Sequence, residues 1–324
     1  MLLNFLYIII GVGLVLWGAD RLTEGAAAFA RKMNVPEIVI GLTIVAAGTS
    51  APELFVSCVS ALKGTPDLAI GNVVGSNIMN SMLIVGCAAM VAPMTISPST
   101  VRKDIPFSVA ASALLVALCL DDFSSLNLRG NVISRIDGMI LLAGLGLFMT
   151  YTLRMARNSN NAEPAASVQE PEKITRPAWM SLLFIVVGLC CLIIGSNLFV
   201  ESASSVAQQL GVSESIIGLT IVAGGTSLPE LATSVVAARK GQSAIAIGNV
   251  IGSNVFNVLA ILGITALLCP MQISGITLVD VALMLVSIAL VWFFSYTKYT
   301  MARWEGAVLV TLFMAYLGWL LVGA

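Results

Sequence analysis

The chain has 324 residues, 58% of them apolar and only 10% charged, with a formal net charge of −1 and a mean hydropathy of +0.98. Charged residues make up about 25% of a soluble globular domain, so this composition excludes one and reads as an all-α integral membrane protein. Histidine is absent, which removes imidazole from any proton relay, metal site or catalytic triad.

Apolar stretches long enough to cross a bilayer, about 20 residues each, fall near residues 3–19, 36–62, 67–91, 105–120, 132–152, 179–197, 214–238, 244–268, 278–297 and 304–323. They make ten spans in two sets of five. The first lacks a positively charged leader and an obvious small-residue cleavage site, so it is expected to be retained. The odd-numbered connections hold thirteen of the 16 Lys and Arg residues: Arg21, Arg31, Lys32, Arg102, Lys103, Arg154, Arg157, Lys173, Arg176, Arg239, Lys240, Lys298 and Arg303. The even ones hold Lys63, Arg129 and Arg135. By the positive-inside rule the odd connections are expected in the cytoplasm and both termini outside. Residues 153–178, polar and poor in aromatics, then form a cytoplasmic linker between a first five-helix repeat at 1–152 and a second at 179–324. Five spans per half put the second half into the membrane from the opposite side, so the repeats are predicted to be inverted. The six cysteines lie in or beside spans with no extramembrane pairing pattern, which argues against a disulfide framework.

Residues 41–86 and 218–263 align at a fixed offset of 177 without a gap, with 28 of 46 positions identical. The similarity extends upstream, aligning Gly18 with Gly195 and Glu24 with Glu201. Each copy carries GTS-x-PE, at 48–53 and 225–230. Pro52 and Pro229 cannot donate to the carbonyls of Gly48 and Gly225, and their rings crowd that turn, so a broken helix is expected in mid-span. The released carbonyl must be satisfied within the protein, and the hydroxyls of Thr49, Ser50, Thr226 and Ser227 lie beside it. Glu53 and Glu230 follow each proline. A carboxylate at a helix centre costs about 2.5–3.5 kcal/mol on insertion scales. The nearest cations, Lys63 and the Arg239–Lys240 pair, lie about ten residues on, or about 15 Å along a helix. The counter-charge is therefore expected from outside the chain. Two carboxylates, freed carbonyls and hydroxyls form an all-oxygen environment suited to a hard cation such as Ca²⁺ or Na⁺.

The next segment of each copy reads GN-x-x-GSN-x-x-N. Asn72, Ser76 and Asn80 recur at intervals of four, as do Asn249, Ser253 and Asn257, so each trio forms a polar stripe on one helical face. Asn72, Asn77, Asn249 and Asn254 are open to two readings, interhelical hydrogen bonding and ion ligation. The pairs Gly71 with Gly75 and Gly248 with Gly252 read first as close helix packing. Asp20, Glu24, Asp104, Asp121, Asp122, Asp137, Asp280 and Glu305 sit at predicted helix ends, where solvation is expected. Asp67 has no counterpart, since Ala244 stands at its position.

These duplicated segments resemble the α-repeats of the cation/Ca²⁺ exchanger superfamily, in its prokaryotic Na⁺/Ca²⁺ exchanger branch. The resemblance covers both halves in order and spacing. It implies a ten-helix antiporter of the cell (inner) membrane, with Ca²⁺ and Na⁺ as substrates, no cofactor, no nucleic acid and no obligate protein partner. It also implies an ion cluster of Glu53 and Glu230, the hydroxyl or backbone oxygens of Thr49, Ser50, Thr226 and Ser227, the carbonyls of Ala46 and Ala223, the hydroxyls of Ser76 and Ser253, and the amides of Asn80 and Asn257. Some members, including potassium-dependent ones, carry Asp where this chain has Asn257. The amide here argues against K⁺ cotransport and limits the site to two negative charges. Exchange of Na⁺ for Ca²⁺, with Ca²⁺ extruded, is the expected activity. A proton- or K⁺-coupled exchanger is the nearest alternative, and a passive cation channel a further one. No Ser/Lys, Ser/His or paired-Asp motif supports an enzyme.

Overall fold

In the computed structural model, residues 2–120, 128, 130–160, 177–210 and 223–323 are described. Their architecture is mostly helical. Helix α1 (Leu2–Lys32) precedes a broken segment made of α2 (Glu37–Ile40), π turns over Gly41–Val45, α3 (Ala46–Thr49) and α4 (Ala51–Leu62). Helix α5 (Pro66–Met79) continues through π turns at Asn80–Ile84 into α6 (Val85–Val91). Helices α7 (Ile105–Leu118) and α8 (Arg135–Asn160) complete the first half. The second half opens with α9 (Ala178–Gln209), followed by α10 (Ala223–Thr226) and α11 (Leu228–Arg239). Helix α12 (Ser243–Val255) runs through π turns at Phe256–Leu262 into α13 (Gly263–Leu268), and α14 (Leu278–Tyr296) and α15 (Arg303–Gly323) end the chain.

Among the described residues six helices are long and apolar enough to cross a membrane, and a seventh if the bent pair Glu37–Thr49 and Ala51–Leu62 counts as one span. Helices α7 and α15 overlap the spans expected at 105–120 and 304–323 but are not among those six, while the start of the one expected at 214–238 lies outside the described residues. Two helices overrun their expected ends at residues 19 and 197. Helix α1 continues because its charges pair locally, Arg21 reaching Asp20 at 3.1 Å and Glu24 at 2.8 Å.

Helices α1 and α9 lie antiparallel along glycines spaced seven apart. A Cβ on Gly18 would stand 2.8 Å from the Gly188 carbonyl oxygen, and one on Gly11 2.8 Å from that of Gly195. Small residues at these crossings let the two backbones touch. The turns that join α4 to α5 and α11 to α12 use Gly64 and Gly241, at φ +82° and +74°. Both are left-handed helix ends that glycine reaches without strain, and they are one repeat length apart.

Short antiparallel strands tie the connections together. Strand β1 (Met94–Thr95) pairs with β4 (Thr300–Met301), and β2 (Val132–Ile133) with β3 (Met271–Gln272). The first ribbon joins two odd-numbered connections; in the second, β3 lies in an even-numbered connection and β2 borders another, at the first two residues of the span expected at 132–152. Arg102 donates to the Tyr299 hydroxyl, and the Ser274 N–H to Asp67, with the same parity. No disulfide joins any of the six cysteines.

Candidate functional site

The two motifs break their helices at the same residue. Ser50 has φ −81° and ψ 6°, Ser227 φ −89° and ψ 6°, and the segments either side of Ser50 are bent by 44°. Proline in the first turn of α4 and of α11 starts each helix afresh. Glu53 and Glu230 thus sit in first turns, where the positive end of the helix dipole favours a carboxylate. Both are 1% exposed.

The halves are wired crosswise. Ser50 Oγ donates to Glu230 Oε1 at 3.0 Å, and Ser227 Oγ lies 3.1 Å from Glu53 Oε1 and 3.3 Å from Ser76 Oγ. Thr49 Oγ1 lies 3.0 Å from Asn249 Oδ1. Thr226 and Thr49 flank Glu53 and Glu230 in turn. One of these hydroxyls bonds back along its own segment, Thr49 to the Ala46 carbonyl at 3.3 Å, whereas those of Ser50 and Ser227 turn toward the opposite half. The carbonyl of Gly225 is satisfied instead by Ser196 Oγ, 2.6 Å away on α9.

The asparagines of the stripe divide by position. Asn72 Nδ2 donates to the Glu53 carbonyl at 3.4 Å and to Ser57 Oγ at 3.1 Å. Asn249 repeats this with the Glu230 carbonyl at 3.3 Å and Ser234 Oγ at 3.0 Å. Of the two readings left open for this pair, the geometry is interhelical bonding that clamps the carboxylate-bearing turn. Ser57 and Ser234 were not singled out from sequence. Each stands four residues after its glutamate and is identical in both copies, a signal sufficient to find it. Asn77 and Asn254 also bond between segments.

What remains is a set of buried oxygens with no partner among the described residues: Glu53 Oε2, Glu230 Oε2, Asn80 Oδ1, Asn257 Oδ1 and Ser253 Oγ. The Ala46 carbonyl accepts the Ser50 N–H at 3.0 Å and the Thr49 hydroxyl at 3.3 Å. Ala223 opens α10. Among the described residues the ion pairs lie away from both carboxylates, at Asp20, Arg21, Glu24 and Lys240 and at Arg31 with Glu37. No cluster of three or more acidic or thiol side chains occurs among them either. Buried acceptors without donors are costly unless something positive meets them. Oxygens alone, two of them on carboxylates, suit a hard cation. A cavity of about 440 Å³ lies beside this set, lined by Asn72 and Ser76, which bond to Glu53 or its serine partner, and by Gly71, Gly75, Gly224, Asp280 and Tyr316.

Two glycine pairs behave differently. Gly248 and Gly252 pack on the first broken segment, a Cβ on Gly252 falling 2.7 Å from the Leu42 carbonyl oxygen. Among the described residues a Cβ on Gly75 meets nothing within 4 Å. The acids expected to be solvated are in several cases buried. Asp104 accepts from the Tyr151 hydroxyl at 2.8 Å, Asp280 from that of Tyr316 at 2.7 Å, and Glu305 caps the Ala302 N–H at 2.7 Å. Asp280 and Glu305 cap helix starts, and the tyrosines tie Asp104 and Asp280 to a neighbouring helix. Asp121 and Asp122 lie outside the described residues.

Paired broken helices, each presenting a buried carboxylate to the other's serine inside an apolar helical protein, define a membrane transporter of cations. The model of the family described as sodium/calcium exchanger protein matches residues 3–154 and 180–322. Inner membrane protein YrbG of Escherichia coli (strain K12) is 35% identical over 277 residues, covering 85% of this chain and 82% of its own. Sodium/calcium exchanger MaX1 of Methanosarcina acetivorans is 33% identical over 343 residues, 97% of each chain. A solved structure of the sodium-calcium exchanger NCX_Mj, soaked with zero Na⁺ and Ca²⁺, superposes with a TM-score of 0.82 at 29% identity, covering 98% of this chain and 99% of that one. The chain belongs to the sodium/calcium exchanger family.

Proposed function

We propose that this chain is a secondary-active antiporter that exchanges Na⁺ for Ca²⁺ by alternating access, in the direction of Ca²⁺ extrusion under an inward Na⁺ gradient. The observation that carries the reading is the crossed pair of serine-to-glutamate bonds, which leaves one oxygen of each buried carboxylate unpartnered. Glu53 and Glu230 are assigned as shared ligands for both ions. The oxygens of Asn80, Asn257, Ser76 and Ser253, and those of Thr49, Ser50, Thr226, Ser227, Ala46 and Ala223, complete the set. Two charges neutralise one Ca²⁺ and cannot fully serve a second set of cations, so the ions exclude one another and transport becomes exchange. The names of MaX1 and NCX_Mj support sodium as the coupling ion, and the neutral amides of Asn80 and Asn257 argue against K⁺.

The proposed topology is ten transmembrane helices in two inverted repeats, 1–152 and 179–324, joined by a cytoplasmic linker at 153–178. Both termini face outward from the inner cell membrane. Pairing of odd connections with odd and even with even supports this parity, because crossings that alternate sides bring only such loops together. Ca²⁺ uptake into proteoliposomes under separate Na⁺, K⁺ and H⁺ gradients tests the function. Uptake is expected with outward Na⁺ gradients alone. Uptake that follows the pH or K⁺ gradient overturns the coupling ion, and Ca²⁺ flux with no counter-ion overturns exchange.

A further inference from the structure

Asn257 is proposed above as an ion ligand, but an amide has a donor end and an acceptor end, and only the oxygen end serves a cation. Something must fix which end faces the site. Asn77, buried beside it, donates Nδ2 to the main-chain carbonyl of Asn254 at 3.2 Å. The other neighbour of that nitrogen is Met284 Sδ at 3.9 Å, too weak a partner to compete. With its nitrogen committed, Asn77 turns Oδ1 the opposite way, where it accepts Asn257 Nδ2 at 3.0 Å. The donor end of Asn257 is thereby occupied, and its Oδ1 is left buried and unpartnered.

We infer that Asn77 is the positioning residue for Asn257: by accepting the donor end of that amide it leaves Asn257 Oδ1 as the atom that faces the site; this rests on the ligand reading of Asn257. The residue one repeat length on, Asn254, is wired differently. Its Nδ2 goes to Ser81 Oγ at 2.9 Å and its Oδ1 has no partner, so it does not hold Asn80 in the corresponding way.

The test is a double-substitution cycle on the full chain in proteoliposomes, reading half-saturating Ca²⁺ and Na⁺ separately. Asn257→Ala and Asn77→Ala are each expected to weaken apparent Ca²⁺ affinity about tenfold, and the double variant to lie within about twofold of Asn257→Ala, since residues acting through one contact are not additive. Asn77→Leu, which fills the space without an acceptor, gives the same reading should the alanine variant not fold. An Asn77 substitution that weakens binding as much in the Asn257→Ala background as in the parent overturns the positioning role and leaves the ligand reading intact. An Asn257→Ala variant with unchanged affinities overturns the ligand reading itself.

Discussion

Replacing Glu230 with Gln removes a charge while keeping the fold contact. The side chain keeps its shape, and its oxygen can still accept from Ser50, which lies 3.0 Å from Oε1. What changes is the atom that has no protein partner, Oε2: a carboxylate oxygen becomes part of a neutral amide. At an effective dielectric constant of about 20, two unit charges about 4 Å apart interact by about 4 kcal/mol. By the same Coulomb arithmetic a Na⁺ ion loses up to about 4 kcal/mol and a Ca²⁺ ion up to about 8 kcal/mol. The empty site gains something back, because Glu53 and Glu230 no longer repel one another, but that gain is common to both ions. The difference of about 4 kcal/mol survives, equivalent to a shift of up to about three decades in favour of Na⁺.

Calorimetric titration of purified variant with each ion, alongside Na⁺-driven Ca²⁺ uptake in proteoliposomes, measures the difference directly. Glu230→Gln is expected to lose measurable Ca²⁺ binding and uptake while retaining weakened Na⁺ binding. Glu53→Gln is expected to match it, since Ser227 holds Glu53 Oε1 at 3.1 Å in the same manner. Equal losses for the two ions, or Ca²⁺ affinity kept within about tenfold, would refute the argument that this carboxylate meets the cation directly.

Three further outcomes follow from the packing. Ser196→Ala strips the Gly225 carbonyl of its 2.6 Å donor and is expected to cost about 1–3 kcal/mol, the penalty for an unsatisfied buried acceptor. Ser204→Ala, which removes a buried hydroxyl without a partner among the described residues, is the control in thermal unfolding in detergent and is expected not to destabilise. Gly18→Ala forces a methyl within 2.8 Å of backbone on α9, and overpacking of this kind costs about 1–3 kcal/mol. Gly13→Ala on the same helix, with nothing within 4 Å among the described residues, is expected to unfold like the parent. Asn249→Ala releases both the Glu230 carbonyl and Ser234, so its apparent ion affinities are expected to fall about tenfold, as for loss of one or two buried hydrogen bonds; unchanged affinities would mean the clamp does not position the carboxylate.

The parts of this molecule legible in the sequence are those that depend on neighbours along the chain. GTS-x-PE announced both helix breaks because a proline acts on the turn just before it, and the breaks fall at Ser50 and Ser227. Glu53 and Glu230 stood out because burial of an acid in an apolar run has a cost at any depth. Ser57 and Ser234 were equally legible, four residues from each acid, but a serine carries no such cost and draws no notice. What the sequence withheld were partners across the fold. A fixed offset of 177 establishes that Ser50 and Ser227 are equivalent, yet equivalence says nothing of contact, and Ser50 meets Glu230 rather than Glu53. Likewise Asp104 and Asp280 read as solvated ends because their tyrosines lie 47 and 36 residues away.

That crossed pairing bears on how binding and movement are joined. If each serine bonded the glutamate of its own half, the two halves could shift past one another without disturbing either carboxylate. Here each carboxylate is held by a donor from the opposite half, and Asn257 is oriented by Asn77 from across the same boundary. Relative displacement of the halves by a few ångströms therefore breaks bonds on both acids together, since a hydrogen bond is lost beyond about 3.5 Å. On the proposed ligand assignment, a cation seated between the carboxylates would stabilise the arrangement that brings them together, and could bias the balance of states only by that difference in affinity. Coupling between occupancy and arrangement thus arises from where the donors originate, and a site with the same ligands drawn from one half alone would bind without it.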